Sequence, residues 1–284
     1  MANRPDPRGR PTVPFESVEP GADVGSFSYV LDEKTVSRHL QSTQQTPYAD
    51  GPFAPLSILA ADGVNLADRH YDISQSVHAA QRLEVAALPR LGSTLTVRGR
   101  AAAKWVHKGR RYVEIETETR DDAGVRIATG VTTGVVVYSD HRADDGQRPK
   151  AREPALGGEA PLESLTPLER VMTREAMVLY EPEGEVNLHT DDEVARAVGL
   201  PASIATGTLF LAYVFDLLYR HYGFASLAGT TLDVRIRLPV FAGDRIVTTG
   251  EVLERAAGRD RLRVACNGPH GAVIVGTASV RGRT

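Results

Sequence analysis

A nearly continuous apolar segment constrains this chain of 284 residues more than any other feature of its sequence. Residues 209–219 read Leu-Phe-Leu-Ala-Tyr-Val-Phe-Asp-Leu-Leu-Tyr, and Asp216 is the one charged residue among them. A helix that is apolar on every side must be enclosed by other elements, and one of about a dozen residues is too short to span a bilayer. We therefore predict a buried central helix that begins just after Gly207 and is wrapped by a sheet.

Four short sequence matches relate the first half of the chain to the second. Their offsets all lie between 147 and 151 residues. The matched pairs begin at Arg69 and Arg220, Leu88 and Leu238, Gly109 and Gly258, and Asp122 and Pro269. Chance could supply one such match, but four in the same order at nearly one offset indicate a duplicated domain.

Each half is expected to contain a long buried helix wrapped by antiparallel strands. In the second half, residues 231–238 alternate apolar and charged side chains, which is typical of a strand in a sheet with one dry face. In the first half, a strand (26–31), a capped helix (32–41) and an apolar helix (56–66) precede four strand-like runs between residues 78 and 138. The predicted fold class is α+β.

Composition sets the expected domain boundaries. Residues 1–23 begin with a stretch rich in Pro, Arg and Glu, which predicts a disordered leader. Residues 141–161 are dominated by Asp, Arg, Gly, Pro and Lys, which is the composition of a linker. The two domains are therefore expected at residues 24–140 and 162–284.

The composition also limits which binding partners and which cellular compartment are expected. A net charge of −3 gives no electrostatic reason to expect binding to nucleic acid or to an anionic membrane. Cys266 is the only cysteine, so neither an intrachain disulfide nor a cysteine metal cluster can form. The N-terminus lacks the apolar core of a signal peptide, and we expect a cytoplasmic protein.

A polar loop before the central helix carries the candidate site residues Asn187 and His189. We expect this loop to lie at the N-terminal end of the helix, where free backbone N–H groups stabilise negative charge. Simpler roles stay open: a solvated His189, a turn-forming Asn187, and a Gly207 that only allows close approach. Asp191 is expected to cap a short helix that ends at Ala197, and Asp216 is expected to be a hydrogen-bonded or interface acid.

At this point the sequence resembles a known family. A strand, the loop with Asn187 and His189, the segment 204–207, the buried helix and then residues 239–244 follow one another as in MaoC-like dehydratases and (R)-specific enoyl-CoA hydratases. The resemblance covers roughly Val24 to Val280 and implies a double hot-dog fold. It also implies reversible hydration of trans-2-enoyl thioesters, without a metal or redox cofactor. The substrate would be a thioester of CoA or of an acyl carrier protein.

The family motif, Asp-x-Asn-Pro-Leu/Ile-His, assigns roles to individual residues of this chain. By resemblance, His189 and a carboxylate are the acid and base, Asn187 is the Asn of the motif, and Gly207 gives an N–H to the thioester oxygen. One residue between Asn187 and His189 is missing here, so the carboxylate position falls on Gly184 or on Glu185, depending on the alignment. We take Glu185 as the carboxylate, ahead of Glu183.

The first half lacks this acid–base set. Tyr48 stands where His189 stands in the second half, and Leu56 lies near the counterpart of Gly207. By resemblance, the first half shapes the tunnel for the acyl chain, and His39 and His78 are structural. Two other functions stay open, a hot-dog thioesterase and a non-catalytic acyl-thioester binder, as does assembly into a homodimer.

Overall fold

The structure is a computed structural model that describes residues 18–46, 51–71, 73, 76–136 and 158–282. Within these residues, eleven strands form one antiparallel sheet. The strands of the first half are β1 (Asp23–Val30), β2 (Ser76–Val85), β3 (Thr94–His107), β4 (Arg110–Arg120) and β5 (Arg126–Val136). Those of the second half are β6 (Glu163–Ser164), β7 (Leu168–Val171), β8 (Thr231–Ile236), β9 (Arg245–Ala256), β10 (Arg259–Gly268) and β11 (Gly271–Arg281).

The strand order shows that the two halves share one topology. From edge to edge the order is β1-β3-β4-β5-β2-β8-β11-β10-β9-β6, and β7 also pairs with β9. Outward from the central pair β2 and β8, each strand of one half has a counterpart of the same rank in the other. At this central pair Leu83 faces Leu232, and both side chains are buried. The predicted α+β class is confirmed, and the sheets of the two halves form one continuous sheet.

Two hairpins give independent evidence for the duplication. The loop between β3 and β4 is Lys108-Gly109, with φ angles of 50° and 73°. The loop between β9 and β10 is Ala257-Gly258, with φ angles of 51° and 73°. Positive φ at both positions is typical of the tight two-residue turn that matches the twist of a hairpin. Equivalent loops of the two halves thus have the same backbone conformation.

The described residues form five α-helices: α1 (Glu33–Ser42), α2 (Asp62–His70), α3 (Arg174–Tyr180), α4 (Asp192–Ala197) and α5 (Gly207–Tyr222). α1 begins as predicted, because the Asp32 side chain accepts a hydrogen bond of 2.7 Å from the Thr35 N–H. α5 is the predicted central helix, and every residue from Leu209 to Leu218 is buried. None of the described helices has the length and apolar composition needed to cross a membrane.

The charge of Asp216 inside α5 is paired, as expected for a hydrogen-bonded acid. Its carboxylate accepts a hydrogen bond of 3.0 Å from Arg220, one turn along the helix. It accepts another from Arg170 on β7. The Arg170 guanidinium also lies 4.7 Å from the centre of the Tyr213 ring. Pairing of this kind makes the burial of a charge tolerable, because an unpaired charge is very costly in the interior.

The central segment of the first half differs from the continuous helix predicted for residues 56–66. It starts as a 3₁₀-helix over Leu56–Ala61 and changes to α2 at Asp62. The change falls where the Asp62 carboxylate is held by side chains of β1 and β4. This central segment is less bulky than α5, because Ala60, Ala61 and Gly63 follow one another closely.

Three predictions lie partly or wholly outside the described residues: most of the leader, most of the linker, and Tyr48. The leader was predicted to extend to residue 23, but Val18 is buried in the first half. The Gly21 N–H donates to the Ala101 carbonyl at 2.7 Å, and the Ala101 N–H donates to the Ala22 carbonyl at 2.9 Å. Residues 18–22 are thus part of the folded chain, because Val18 finds an apolar site there.

A buried carboxyl group joins α2 to the sheet. Asp62 is 3% exposed, and it accepts hydrogen bonds from the Tyr29 hydroxyl at 2.9 Å and the Thr119 hydroxyl at 2.6 Å. Burial raises the pKa of Asp62 from 3.8 to about 7. Burial has the opposite effect on two histidines, since it lowers the pKa of His39 and of His78 from 6.5 to about 4.

We expect Asp62 to lower the stability of the protein as the pH rises from about 4 to 7. A carboxyl whose pKa is raised in the folded state holds a proton that the unfolded state has lost, so the stability it contributes below pH 4 disappears as pH passes through 7. The free energy of unfolding of the wild type, minus that of Asp62→Asn, should fall across this range by on the order of 4 kcal/mol. The histidines are common to both proteins, so their opposite effect cancels. Urea unfolding at several pH values measures the difference.

Asp32→Asn is the matched control for this experiment. The hydrogen bond from Thr35 lowers the pKa of Asp32, so its contribution is lost as pH falls rather than as it rises. The difference in free energy of unfolding between the wild type and Asp62→Asn could instead stay constant between pH 4 and 7.5. That result would show that Asp62 stays ionised in the folded protein.

Candidate active site

One cavity of about 1500 Å³ lies between the two halves and reaches the N-terminal end of α5. Both halves contribute to its wall. From the second half it is lined by Glu181, Glu185, Asn187, His189 and Gly207, and from the first half by Tyr29, Asp62, Val64 and His78. The structure therefore brings all four predicted site residues to one cavity.

The His189 ring is oriented by a backbone carbonyl. Its Nδ1 atom lies 2.8 Å from the carbonyl oxygen of Ile204. A carbonyl oxygen can only accept a hydrogen bond, so Nδ1 carries the hydrogen of the neutral ring, and Nε2 keeps its lone pair. The side chain is half-buried in the cavity wall. His189 thus presents a proton acceptor in a fixed orientation.

Asn187 closes the loop that carries His189. Its Oδ1 atom accepts a hydrogen bond of 2.8 Å from the His189 N–H, two residues on, and this is the turn role anticipated for an asparagine. Its amide nitrogen donates a second hydrogen bond of 2.8 Å to Glu181. Asn187 therefore forms the turn and also ties it to a carboxylate outside the loop.

Gly207 is the first residue of α5 and lies where a larger residue would not fit. A Cβ atom at this position would be 2.7 Å from Ile236 Cδ1 and 3.1 Å from His78 Cβ. Among the described residues, no group accepts a hydrogen bond from the Gly207 N–H. Ile236 and His78 thus approach Gly207 closely, as anticipated, and the Gly207 N–H stays a free donor at the positive end of a buried helix.

Glu181 is the residue that the sequence did not reveal. It is 9% exposed and follows directly after α3. Its carboxylate accepts hydrogen bonds from the Asn187 amide and from the Thr206 hydroxyl. Glu185, by comparison, is half-buried in the cavity wall, and Glu183 is exposed. No motif marks Glu181, because its partners come from two other segments of the chain.

The predicted helix after the loop is confirmed and holds the loop in place. Asp191 caps α4 by accepting from the N–H groups of Glu193 at 2.7 Å and Val194 at 3.0 Å. Asp192, in the first turn, accepts a hydrogen bond of 3.0 Å from the Ser203 N–H. α4 is thereby fixed to the segment that leads to Ile204, the partner of the His189 ring.

Comparisons with known proteins relate the second half of the chain to a known family. Residues 159–270 match the family model described as MaoC like domain. This part of the chain is similar to a MaoC-like domain. The whole chain also matches solved structures: a MaoC-like dehydratase (17% identity, 95% of this chain and 100% of that one, TM-score 0.73) and a MaoC-like dehydratase from Phytophthora capsici (17%, 96% and 100%, 0.71).

A third matching structure, from Mycobacterium tuberculosis, is described as a double hot-dog fold (12% identity, 96% of this chain and 98% of that one, TM-score 0.65). No curated protein matches the chain by sequence. At these identities the structural likeness shows the fold, and the predicted double hot-dog is confirmed.

The first half places His78 against the start of α5. The His78 ring lies beside Gly207, and its Nε2 atom is 3.0 Å from the Ala80 carbonyl oxygen. Its Nδ1 atom is covered and has no hydrogen-bond partner. On the other side of the helix start, the Tyr180 hydroxyl donates to Thr208 at 2.8 Å, and burial raises the pKa of Tyr180 well above its usual range. The N-terminal end of α5 is thus enclosed from both halves.

We expect opposite tautomers for the two histidines at this end of α5. The carbonyl partners place the hydrogen on Nδ1 of His189 and on Nε2 of His78. Long-range ¹H–¹⁵N correlation spectra distinguish the two tautomers, and His189→Gln and His78→Gln assign the signals. The His78 ring is an internal control. An Nε2–H signal for His189 would show that the ring does not bond to Ile204.

Proposed function

We propose that this protein catalyses the reversible hydration of trans-2-enoyl thioesters, which in reverse is the dehydration of (R)-3-hydroxyacyl thioesters. One observation carries the proposal. The oriented ring of His189, with its Nε2 lone pair, lies at one end of a large cavity. The free N–H of Gly207, at the start of α5, lies at the same end. The similarity of residues 159–270 to a MaoC-like domain supports the proposal.

The proposed reaction uses each of these groups. His189 Nε2 takes a proton from water while the water oxygen bonds to the β carbon of the enoyl group. The electron pair of the C=C bond moves toward the thioester oxygen, which the Gly207 N–H stabilises at the positive end of α5. A carboxyl group then protonates the α carbon, and we propose Glu185 for this step because it lines the cavity. The proton held by His189 afterwards returns to Glu185 through a bound water, which restores both groups.

We propose that the acyl chain occupies the part of the cavity formed by the first half. There Ala61, Val64 and Ala67 of the central segment line the cavity, so the wall beside this segment is apolar and carries small side chains. In the second half, α5 fills the corresponding space with Phe210, Tyr213 and Phe215, which are fully buried. The thioester is that of CoA or of an acyl carrier protein, and the chemistry needs protein groups alone. A cytoplasmic location stays a prediction.

The direct test is to incubate the protein with crotonyl-CoA and follow enoyl absorbance and free thiol together. Loss of enoyl absorbance without thiol release is the expected result. Release of thiol would instead identify a thioesterase, in which His189 activates water against the thioester carbonyl. No change with crotonyl-CoA or with a longer enoyl-CoA would leave a protein that only binds thioesters.

We expect His189→Ala to lower turnover by about 10²-fold or more, the usual scale for a positioned acid–base group. The fold should be retained, because the ring is half-buried and lies on a loop. Glu185→Gln should reduce turnover to a similar extent if Glu185 protonates the α carbon. A His189→Ala protein with near-normal turnover would remove His189 from the mechanism.

We expect Val64→Phe to shorten the range of acyl chains that the protein accepts. Val64 lies on α2 and lines the cavity in the first half. A phenyl ring there should lower kcat/KM for trans-2-decenoyl-CoA by about tenfold or more relative to crotonyl-CoA. Lost apolar contact and overpacking together should cost about 1.4 kcal/mol or more, which corresponds to that factor. Val125→Phe, on the exposed turn between β4 and β5, is the control. Equal losses for both substrates would place the acyl chain elsewhere.

A further inference from the structure

We propose that Glu181 is a positioning residue for His189 and Gly207, and that its negative charge is needed when His189 takes up a proton. The inference rests on the proposed hydration. It concerns a residue outside the motif, four positions before Glu185, so it does not compete with Glu185 for the proton-transfer step.

Glu181 is the side chain that connects the two elements of the site. One carboxylate oxygen accepts a hydrogen bond of 2.8 Å from the amide of Asn187, which in turn holds the His189 N–H. The other oxygen accepts from the hydroxyl of Thr206, the residue immediately before Gly207. The carboxylate thus joins the loop that carries the imidazole to the helix end that carries the free N–H.

The backbone of Glu181 is itself fixed by the first half of the chain. Arg38 on α1 donates from its Nε atom to the Leu179 carbonyl at 2.9 Å. The same guanidinium donates to the Glu181 carbonyl. The carboxylate therefore extends from an anchored segment. A shift of the loop relative to α5 would have to break its hydrogen bonds to Asn187 or Thr206.

The bridge alone does not require a charge. A glutamine at this position could accept from Asn187 through its carbonyl oxygen and donate to the Thr206 hydroxyl. A buried carboxylate is more costly than an amide, although the positive end of α5 offsets part of that cost. The charge becomes useful when His189 accepts a proton and turns into a cation, because Glu181 lines the same cavity and an anion there stabilises that cation.

Other ionisable groups line the same part of the cavity. They include Asp62 and His78 from the first half, and Tyr180 and Glu185 from the second. None of them hydrogen-bonds to both Asn187 and Thr206, as Glu181 does. Replacing Glu181 therefore tests the connection between the loop and the helix, and not the charge of the cavity as a whole.

Two variants separate the bridge from the charge. Glu181→Gln keeps a hydrogen-bonding side chain of the same size and removes the charge, whereas Glu181→Met removes both. Glu183→Gln is the matched control, because Glu183 is exposed and lies two residues away. For each protein we would measure kcat and KM with crotonyl-CoA, the free energy of unfolding in urea, and the ring tautomer of His189 from ¹H–¹⁵N spectra.

The expected results differ for each variant. Glu181→Gln should lower kcat by about tenfold or more with little change in KM, and it should keep the Nδ1–H tautomer of His189. Glu181→Met should lower kcat by about 10²-fold or more and alter the His189 signal, since a displacement of about 1 Å in a catalytic group costs that much. Glu183→Gln should match the wild type in all three measurements.

Two results would overturn the inference. One is a wild-type kcat for Glu181→Gln, because a neutral bridge would then suffice. The other is an unchanged His189 signal in Glu181→Met, because the loop would then hold its position without Glu181. If the wild-type protein does not hydrate crotonyl-CoA, the proposed function fails, and the His189 signal in Glu181→Met still decides whether Glu181 positions the ring.

Discussion

The enclosure of α5 is the constraint on which the rest of this structure depends. A helix buried from Leu209 to Leu218 needs apolar partners on every side, and one half of the sheet cannot supply them all. α5 therefore packs against β9 and β10 of its own half and also against β2 and the 3₁₀ segment of the other half. Joining the two sheets through β2 and β8 is the geometry that allows this, and it also covers a strand edge in each half.

The same enclosure creates the chemical properties of the helix start. The sides of α5 are sealed, but its first N–H groups face a cavity, so the positive end of the helix is available to a group bound there. Gly207 permits the close approach of Ile236 and His78 to this end. The feature that makes α5 a structural core thus also makes its N-terminus a place where negative charge is favoured.

The two halves share one framework but differ in their central helices, and one cavity is lined by both halves. The hairpin turns at Gly109 and Gly258 have the same backbone angles, so the outer framework is preserved. The central segments differ, because α5 carries buried aromatic side chains where the first half has a 3₁₀-helix with Leu56, Ile58 and Leu59. Both halves contribute to the packed core, and both line the cavity.

The sequence predicted those features whose cause is local. Apolar content marked α5, and the capping side chain of Asp191 marked α4. It failed where the cause is a distant partner. The change of helix type at Asp62 coincides with contacts to Tyr29 and Thr119, which lie 33 and 57 residues away in the chain.

The loop before α5 shows how a missing residue can be accommodated. In Glu185-Val-Asn-Leu-His189 the side chain of Asn187 accepts the His189 N–H, so the turn is closed by a side chain within two residues. The Thr190 hydroxyl donates to the Glu185 carbonyl at 2.8 Å and fixes the start of the same turn. The His189 ring and the Leu188 carbonyl both bond to Ile204, and a group outside the turn adds a further connection to the start of α5. Glu181 makes that connection through Asn187 and Thr206, and it does so from a segment that Arg38 anchors to the other half of the molecule.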